Sequence, residues 1–274
     1  MIVPQMPFRR DAAFRVLFGA LAAAVAFSLG GMILMRVSPA AVVAAGPLLP
    51  WLMRTPTWVY MLSLPVLALV LYLGDFGWRR SVLMLIWGSM IGMIAELMGT
   101  GTGFPFGAYA YTDFLGPKIL ERVPYLIPLS WYAVSIVSLD LAARLGLPRA
   151  QRIVTAAAYM VLWDFVLDPA MGAGFPIWTW HTEGFYYGMP ALNWAGWFAT
   201  SLIIMWGYET LGAFRPPRPT RRAVAVWIVN GAFPVGICAV TGLWGAVLVG
   251  ALALAIPVIA AGIPREPAGV PSVG

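Results

Sequence analysis

Apolar residues run along this chain in long blocks, without the polar face that a water-exposed helix interleaves every three or four positions. A helix that crosses a bilayer needs about 20 mostly apolar residues. About eight blocks approach that length: 14–35, 57–74, 82–98, 125–145, 153–167, 190–211, 223–240 and 242–262. Only Thr241 and Gly242 separate the last two. The segment 39–52 is apolar too, but Pro39, Pro47 and Pro50 suit an interfacial or re-entrant piece better than a span. The pattern predicts an all-α, polytopic transmembrane helix bundle of about eight spans, in a single integral membrane domain covering 1–274. Arg9, Arg10 and Arg15 precede the first block as in a signal peptide, yet the block is longer than a signal core and no clean small-residue cleavage site follows. It is expected to be a retained helix. The tail 264–274 is expected to be disordered.

Composition agrees with lipid as the main solvent. Of 274 residues, 61% are hydrophobic and 10% charged, with a mean hydropathy of +0.83. A soluble domain carries about 25% charged residues, so too little polar surface exists here to cover a water-soluble ball. The net charge of +6 sits in short arginine clusters between apolar blocks, which points to membrane orientation and away from nucleic acid. One set of loops holds Arg9, Arg10 and Arg15, then Arg79 and Arg80, then Arg144, Arg149 and Arg152, then Arg215, Arg218, Arg221 and Arg222, then Arg265. The other holds Arg36 and Arg54, then Lys118 and Arg122, then none. Eight spans make these sets alternate, and the positive-inside rule then puts both termini in the cytoplasm of a multi-pass protein of the inner (cytoplasmic) membrane.

Three acids are candidate chemistry, because a carboxyl in a membrane helix is costly unless it has a function. Glu96 lies in the last turn of the third block, and Asp164 and Asp168 close the fifth. The i,i+4 spacing puts both aspartates on one helix face. All three fall at the same predicted end of their helices, so they can converge on one pocket. The alternative is that they cap loops or pair with Lys118 and Arg122. Asp140, deeper in the fourth block, reads as an interhelical hydrogen-bond partner. Aromatic residues crowd the acids: Tyr109 and Tyr111 follow Glu96, and Trp178, Trp180, His181, Glu183 and Tyr187 follow Asp168, with Asn193 and Trp197 next. An interfacial belt accounts for the Trp and Tyr content but not for the interleaved glycines and acids. Aromatic faces stabilise cations, so the combination suits a carbocation reaction.

Several chemistries find no support. There is one histidine, His181, too few for a membrane di-iron site built on imidazole. The one cysteine, Cys238, permits no intrachain disulfide or cysteine-based metal site and reads as a small buried apolar residue. Neither Gly-x-Gly-x-x-Gly before a helix nor Gly-x-Ser-x-Gly occurs, and Gly99-Thr-Gly-Thr-Gly103 follows a helix where a phosphate cradle would follow a strand. Two rivals stay open. Asp164-x-x-x-Asp168 fits the pattern with which membrane prenyltransferases hold Mg²⁺ and diphosphate, though a second Asp-rich motif is missing. A proton-coupled carrier would also use intramembrane acids, though no internal repeat is visible.

The order and spacing of these pieces resemble a known family. Glu96-Leu-Met-Gly99, Gly103-Phe-Pro-Phe-Gly107-Ala-Tyr109-Ala-Tyr111 and Val123-Pro124 through Trp131 are similar to the integral-membrane carotenoid biosynthesis family. So are Asp164-Phe-Val-Leu-Asp168-Pro169, Trp178-Thr-Trp180, Gly184-Phe-Tyr-Tyr187-Gly188 and Asn193-Trp-Ala-Gly196-Trp197. That family contains the carotenoid 1,2-hydratases of bacteria and the bisanhydrobacterioruberin hydratases of haloarchaea, and the resemblance covers roughly 81–211. It implies a hydro-lyase that hydrates an acyclic carotenoid end, lycopene- or gamma-carotene-like, without cofactor or metal and alongside other carotenoid enzymes. An apolar site keeps a carboxylic acid neutral and able to protonate an alkene. On this expectation Asp164 or Asp168 protonates carbon 2, its partner holds it, and Glu96 or a polar neighbour orients water. Tyr109, Tyr111, Trp131, Trp178 and Trp180 shield the cation.

Overall fold

The computed structural model describes residues 7–211, 214 and 220–262. Arg215, Arg218, Arg265 and the tail predicted to be disordered lie outside the described residues. Helices dominate: α1 (Pro7–Val37), the short α2 (Pro39–Ala45), α3 (Leu49–Thr102), α4 (Ile127–Ala143), α5 (Arg149–Asp168), α6 (Ala191–Thr210), α7 (Arg221–Thr241) and α8 (Trp244–Gly262). Among the described residues five helical stretches are long and apolar enough to cross a membrane: Arg10–Val37, Pro39–Thr102, Arg149–Gly174, Arg221–Thr241 and Trp244–Gly262. Large apolar side chains such as Leu62, Ile86, Ile203, Ile228 and Leu252 stand exposed on the outside of the bundle. In water each would forgo about 1.5–3 kcal/mol of burial; against lipid they cost nothing. The chain is an integral membrane protein.

The longest helix is two rods. A straight helix would separate Thr57 from Glu96 by about 58 Å at 1.5 Å per residue. Both instead line one cavity, so the chain folds back between them. The reversal sits at Gly77, whose φ of 75° and ψ of 162° break the helix, a conformation open to glycine and strained for other residues.

Contacts sort the rods by end. At one end Tyr72 donates to Asp140 (3.0 Å), joining α3 to α4 as the sequence predicts for that aspartate. Arg144 donates to Asp140 (3.2 Å) and to the Thr220 carbonyl (3.0 Å). Arg152 forks onto Glu209 at 2.6 and 2.9 Å, and Arg222 reaches Asp11 at 2.8 Å. Most of these charges are paired, and they gather the start of α1, the Gly77 turn, both ends of the α4–α5 connection, the end of α6 and the start of α7.

The opposite end holds the loops 103–126 and 169–190, and here the structure departs from a purely helical expectation. The loops carry four short strands. β1 (Tyr109–Tyr111) pairs antiparallel with β4 (Trp178–Trp180), matching Tyr109 with Trp180 and Tyr111 with Trp178, while β2 (Lys118–Ile119) and β3 (Val123–Pro124) form a small hairpin. After α5 the chain continues as a π-type turn, Pro169–Gly174. Pro169 has no N–H to offer the Phe165 carbonyl four residues back; Tyr186 Oη donates to that carbonyl at 2.8 Å instead, tying the second loop to the bundle.

Candidate active site

The stretch from Glu96 to Tyr111 folds for a local reason. Gly103 ends α3 in the left-handed conformation (φ 79°), with its N–H on the Gly99 carbonyl at 2.8 Å, the usual glycine helix stop. The chain then turns back over the helix it has just left. Gly99 lets it close in, since a Cβ there would come within 2.7 Å of Phe106 and 3.0 Å of Tyr109. Strand alternation points Tyr109 and Tyr111 to one face of the ribbon, and Trp178 and Trp180 join them on that face from β4. Four rigid aromatic donors thus face the ends of α3 and α5.

Glu96 is fully clasped. Its Oε2 accepts from the Tyr109 hydroxyl and from the Tyr111 hydroxyl (2.8 Å), and its Oε1 from the Trp131 indole of α4 (2.9 Å). Burial, and the facing Glu96, push both phenols well above their ordinary range, which keeps them as donors. Asp168 takes the other two ribbon donors on Oδ1, Trp178 at 2.7 Å and Trp180 at 3.2 Å. Asn193, in the first turn of α6, bridges the aspartates: its amide donates to Oδ2 of Asp164 at 2.8 Å and to Oδ2 of Asp168 at 3.1 Å. Asp164 differs from the other two acids in one respect. Its Oδ1 is buried, and among the described residues no protein group donates to it.

The three carboxyls, the four ribbon aromatics, Asn193, Phe106 and Trp197 line one small pocket. The acids are at most 5% exposed, every hydrogen-bond donor to them is neutral, and among the described residues none forms an ion pair. The alternative of pairing with loop cations does not hold for Lys118, which instead reaches Asp113 at 2.6 Å and the Tyr111 carbonyl at 2.8 Å; this contact holds the Asp113 carboxyl below its ordinary range. A second cavity shares Glu96, Tyr111, Trp178 and Trp197 with the pocket and is otherwise mostly apolar. Trp131 stacks on Trp197 at 4.3 Å and on Phe106 at 6.1 Å, forming part of its wall.

The structure therefore brings together Glu96, Asp164, Asp168, Tyr109, Tyr111, Trp131, Trp178, Trp180, Asn193 and Trp197. It does not bring in His181, Glu183 or Tyr187. His181 and Glu183 are exposed in a separate recess beyond β4, because the strand ends at Trp180 and the chain leaves the pocket there. Tyr187 turns away to accept the Ala246 N–H of α8 at 3.0 Å. Sequence reasoning missed Phe106, which lines the acid pocket, and Trp163, which lines the apolar cavity beside Asp164. Phe106 stands between two glycines in the quoted loop motif, and that closeness to Gly107 and Tyr109 was its available signal.

Residues 57–257 match a family described as carotenoid biosynthesis protein, a range that contains all three acids, both loops and every pocket residue named above. A bisanhydrobacterioruberin hydratase of Haloarcula japonica is 32% identical over 165 residues, 57% of this chain and 54% of that protein. The match thus spans about half the length of that curated relative. No solved structure matches the chain. With almost three-quarters of its length matched by that family, this chain belongs to the carotenoid biosynthesis protein family.

Proposed function

We propose that this chain is a carotenoid 1,2-hydratase, adding water across the terminal C1=C2 double bond of an acyclic carotenoid end. The observation that carries the reading is the free Oδ1 of Asp164, buried in a pocket whose wall continues into an apolar cavity. One carboxyl of the Asp164–Asp168 pair carries a proton and gives it to C2. The acid O–H bond breaks, a C2–H bond forms, and C1 becomes a tertiary cation. Water attacks C1, forms the C–O bond, and returns a proton to the carboxylate. No electron is transferred and one water is consumed. Asp164 is the better donor of the pair, since both Oδ atoms of Asp168 already hold neutral N–H groups. Trp178, Trp180 and Trp197 line the pocket, and aromatic side chains of this kind shield a cation; among the described residues no basic side chain lines it to repel one. Glu96 clamps the ribbon shut and, at its edge, orients water.

We propose a topology to go with this reading. The rods α1, 49–76, 78–102, α4, α5, α6, α7 and α8 would cross eight times, with the arginine-rich end in the cytoplasm by the positive-inside rule and the acid pocket near the opposite face of the inner membrane.

Expression in a lycopene-producing host tests the activity. Pigment extracts are expected to contain a more polar product heavier by one water. Unchanged lycopene, with the protein present in the membrane, would reject the reading.

A further inference from the structure

A third cavity lies outside the first two. It is a groove between the second half of α1, α2 and the start of α3, bounded on its inner side by Phe175, Phe233 and Ile237. It shares Thr57 and Phe233 with the apolar cavity beside the acids, which in turn shares four residues with the acid pocket. The three are therefore consecutive. Phe233 stands at the neck between the outer two, its ring 4.9 Å from that of Tyr60.

The lining says what kind of molecule fits. No charged residue lines the groove, and in the middle cavity Glu96 at the deep end is the one charged residue, among the described residues. The four hydroxyls of the middle cavity are all spent within the protein: Thr57 donates to the Met53 carbonyl at 3.0 Å, Ser130 to the Ile127 carbonyl at 2.8 Å, Tyr60 to Asn230, and Tyr111 to Glu96 at 2.8 Å. Such a path offers a guest dispersion contacts and almost no hydrogen bonds. A headgroup-bearing lipid drawn through it would strand its polar groups. A hydrocarbon chain loses nothing.

We propose that these cavities form one lateral channel that takes a linear isoprenoid hydrocarbon from the bilayer, between α1 and the start of α3, and threads it end-first to the acids. The chemistry at its inner end rests on the hydratase reading; the binding does not. Threading explains how an enzyme selects an end group: only a chain end passes the Phe233 neck, so only the terminal alkene reaches Asp164.

Gly31 gives a clean test. It lines the groove, and a Cβ there meets nothing within 4 Å, so the side chain of Gly31→Phe starts in open space and takes up room in the groove, and the change removes a helix-weakening glycine. Gly19, on the same helix, also has open space but lies outside the groove, so Gly19→Phe is the control. The full chain, purified in detergent, is loaded with lycopene, and pigment retained per mole of protein is read by absorbance. Wild type and Gly19→Phe are expected to retain it equally, and Gly31→Phe roughly tenfold less, the range of a modest loss in binding energy. Equal retention in Gly31→Phe, an equal fall in Gly19→Phe, or no retention by the wild type would each overturn the channel. Retention by the wild type that is lost in Gly31→Phe, while the wild type forms no hydrated product, would keep the channel and reject the hydratase.

Discussion

Asp164→Asn is expected to lower the rate of hydration by roughly 10²–10⁴-fold, the usual contribution of a positioned proton donor. The amide matches the carboxyl in shape and can still accept the Asn193 N–H that Asp164 Oδ2 accepts at 2.8 Å, so the pocket should survive. What is lost is an acidic proton at an oxygen that nothing else in the protein occupies. Asp168→Asn should lose less, because its carboxyl spends three hydrogen bonds on position and contributes mainly by sharing the proton with its neighbour. The two variants are compared by initial rate on purified protein, with thermal unfolding run alongside to show that each is folded. Full activity in both amides would remove the proton-donor scheme.

Glu96→Leu is expected to cost several kcal/mol of stability. Glu96 accepts from three buried donors, Tyr109, Tyr111 and Trp131. Leucine fills the volume but leaves all three without a partner, at about 1–3 kcal/mol each. Against a total of about 5–15 kcal/mol for a typical domain, that is enough to free the ribbon from the bundle. Glu96→Gln keeps one acceptor oxygen and should cost markedly less, so the ordering Leu worse than Gln is the signature. Thermal unfolding of the detergent-solubilised protein reads it. A leucine variant that unfolds with the wild type would show that the clasp does not hold the ribbon.

The parts of this molecule that were legible in the sequence are those set by local chemistry. Long apolar blocks mark helices because a backbone in lipid must satisfy its own hydrogen bonds, and each block lies largely within a helix. The i,i+4 spacing of Asp164 and Asp168 suffices to place both on one face, and Asn193 binds them together. The break at Gly77 was legible as well: the apolar blocks 57–74 and 82–98 stop on either side of it with Arg79 and Arg80 between them, and the helix reverses there although hydrogen bonding runs nearly unbroken through the turn. The ribbon was harder. Tyr-Ala-Tyr and Trp-Thr-Trp do alternate with a period of two, but three residues are too few to distinguish a strand from an interfacial aromatic belt, and each strand exists only because the other faces it across 67 or more residues of chain. His181 and Glu183 show the limit of reading by proximity: one residue beyond the end of β4 the chain is already outside the pocket.

The origin of the added atoms tests the central claim most directly. Purified protein given an acyclic carotenoid in water labelled with heavy oxygen and, separately, in deuterated water should yield a product carrying one labelled oxygen at C1 and one carbon-bound deuterium at C2, with no oxidant or reductant supplied. A product whose oxygen comes from dioxygen, or one with no deuterium on C2, would contradict protonation of the double bond by a buried acid.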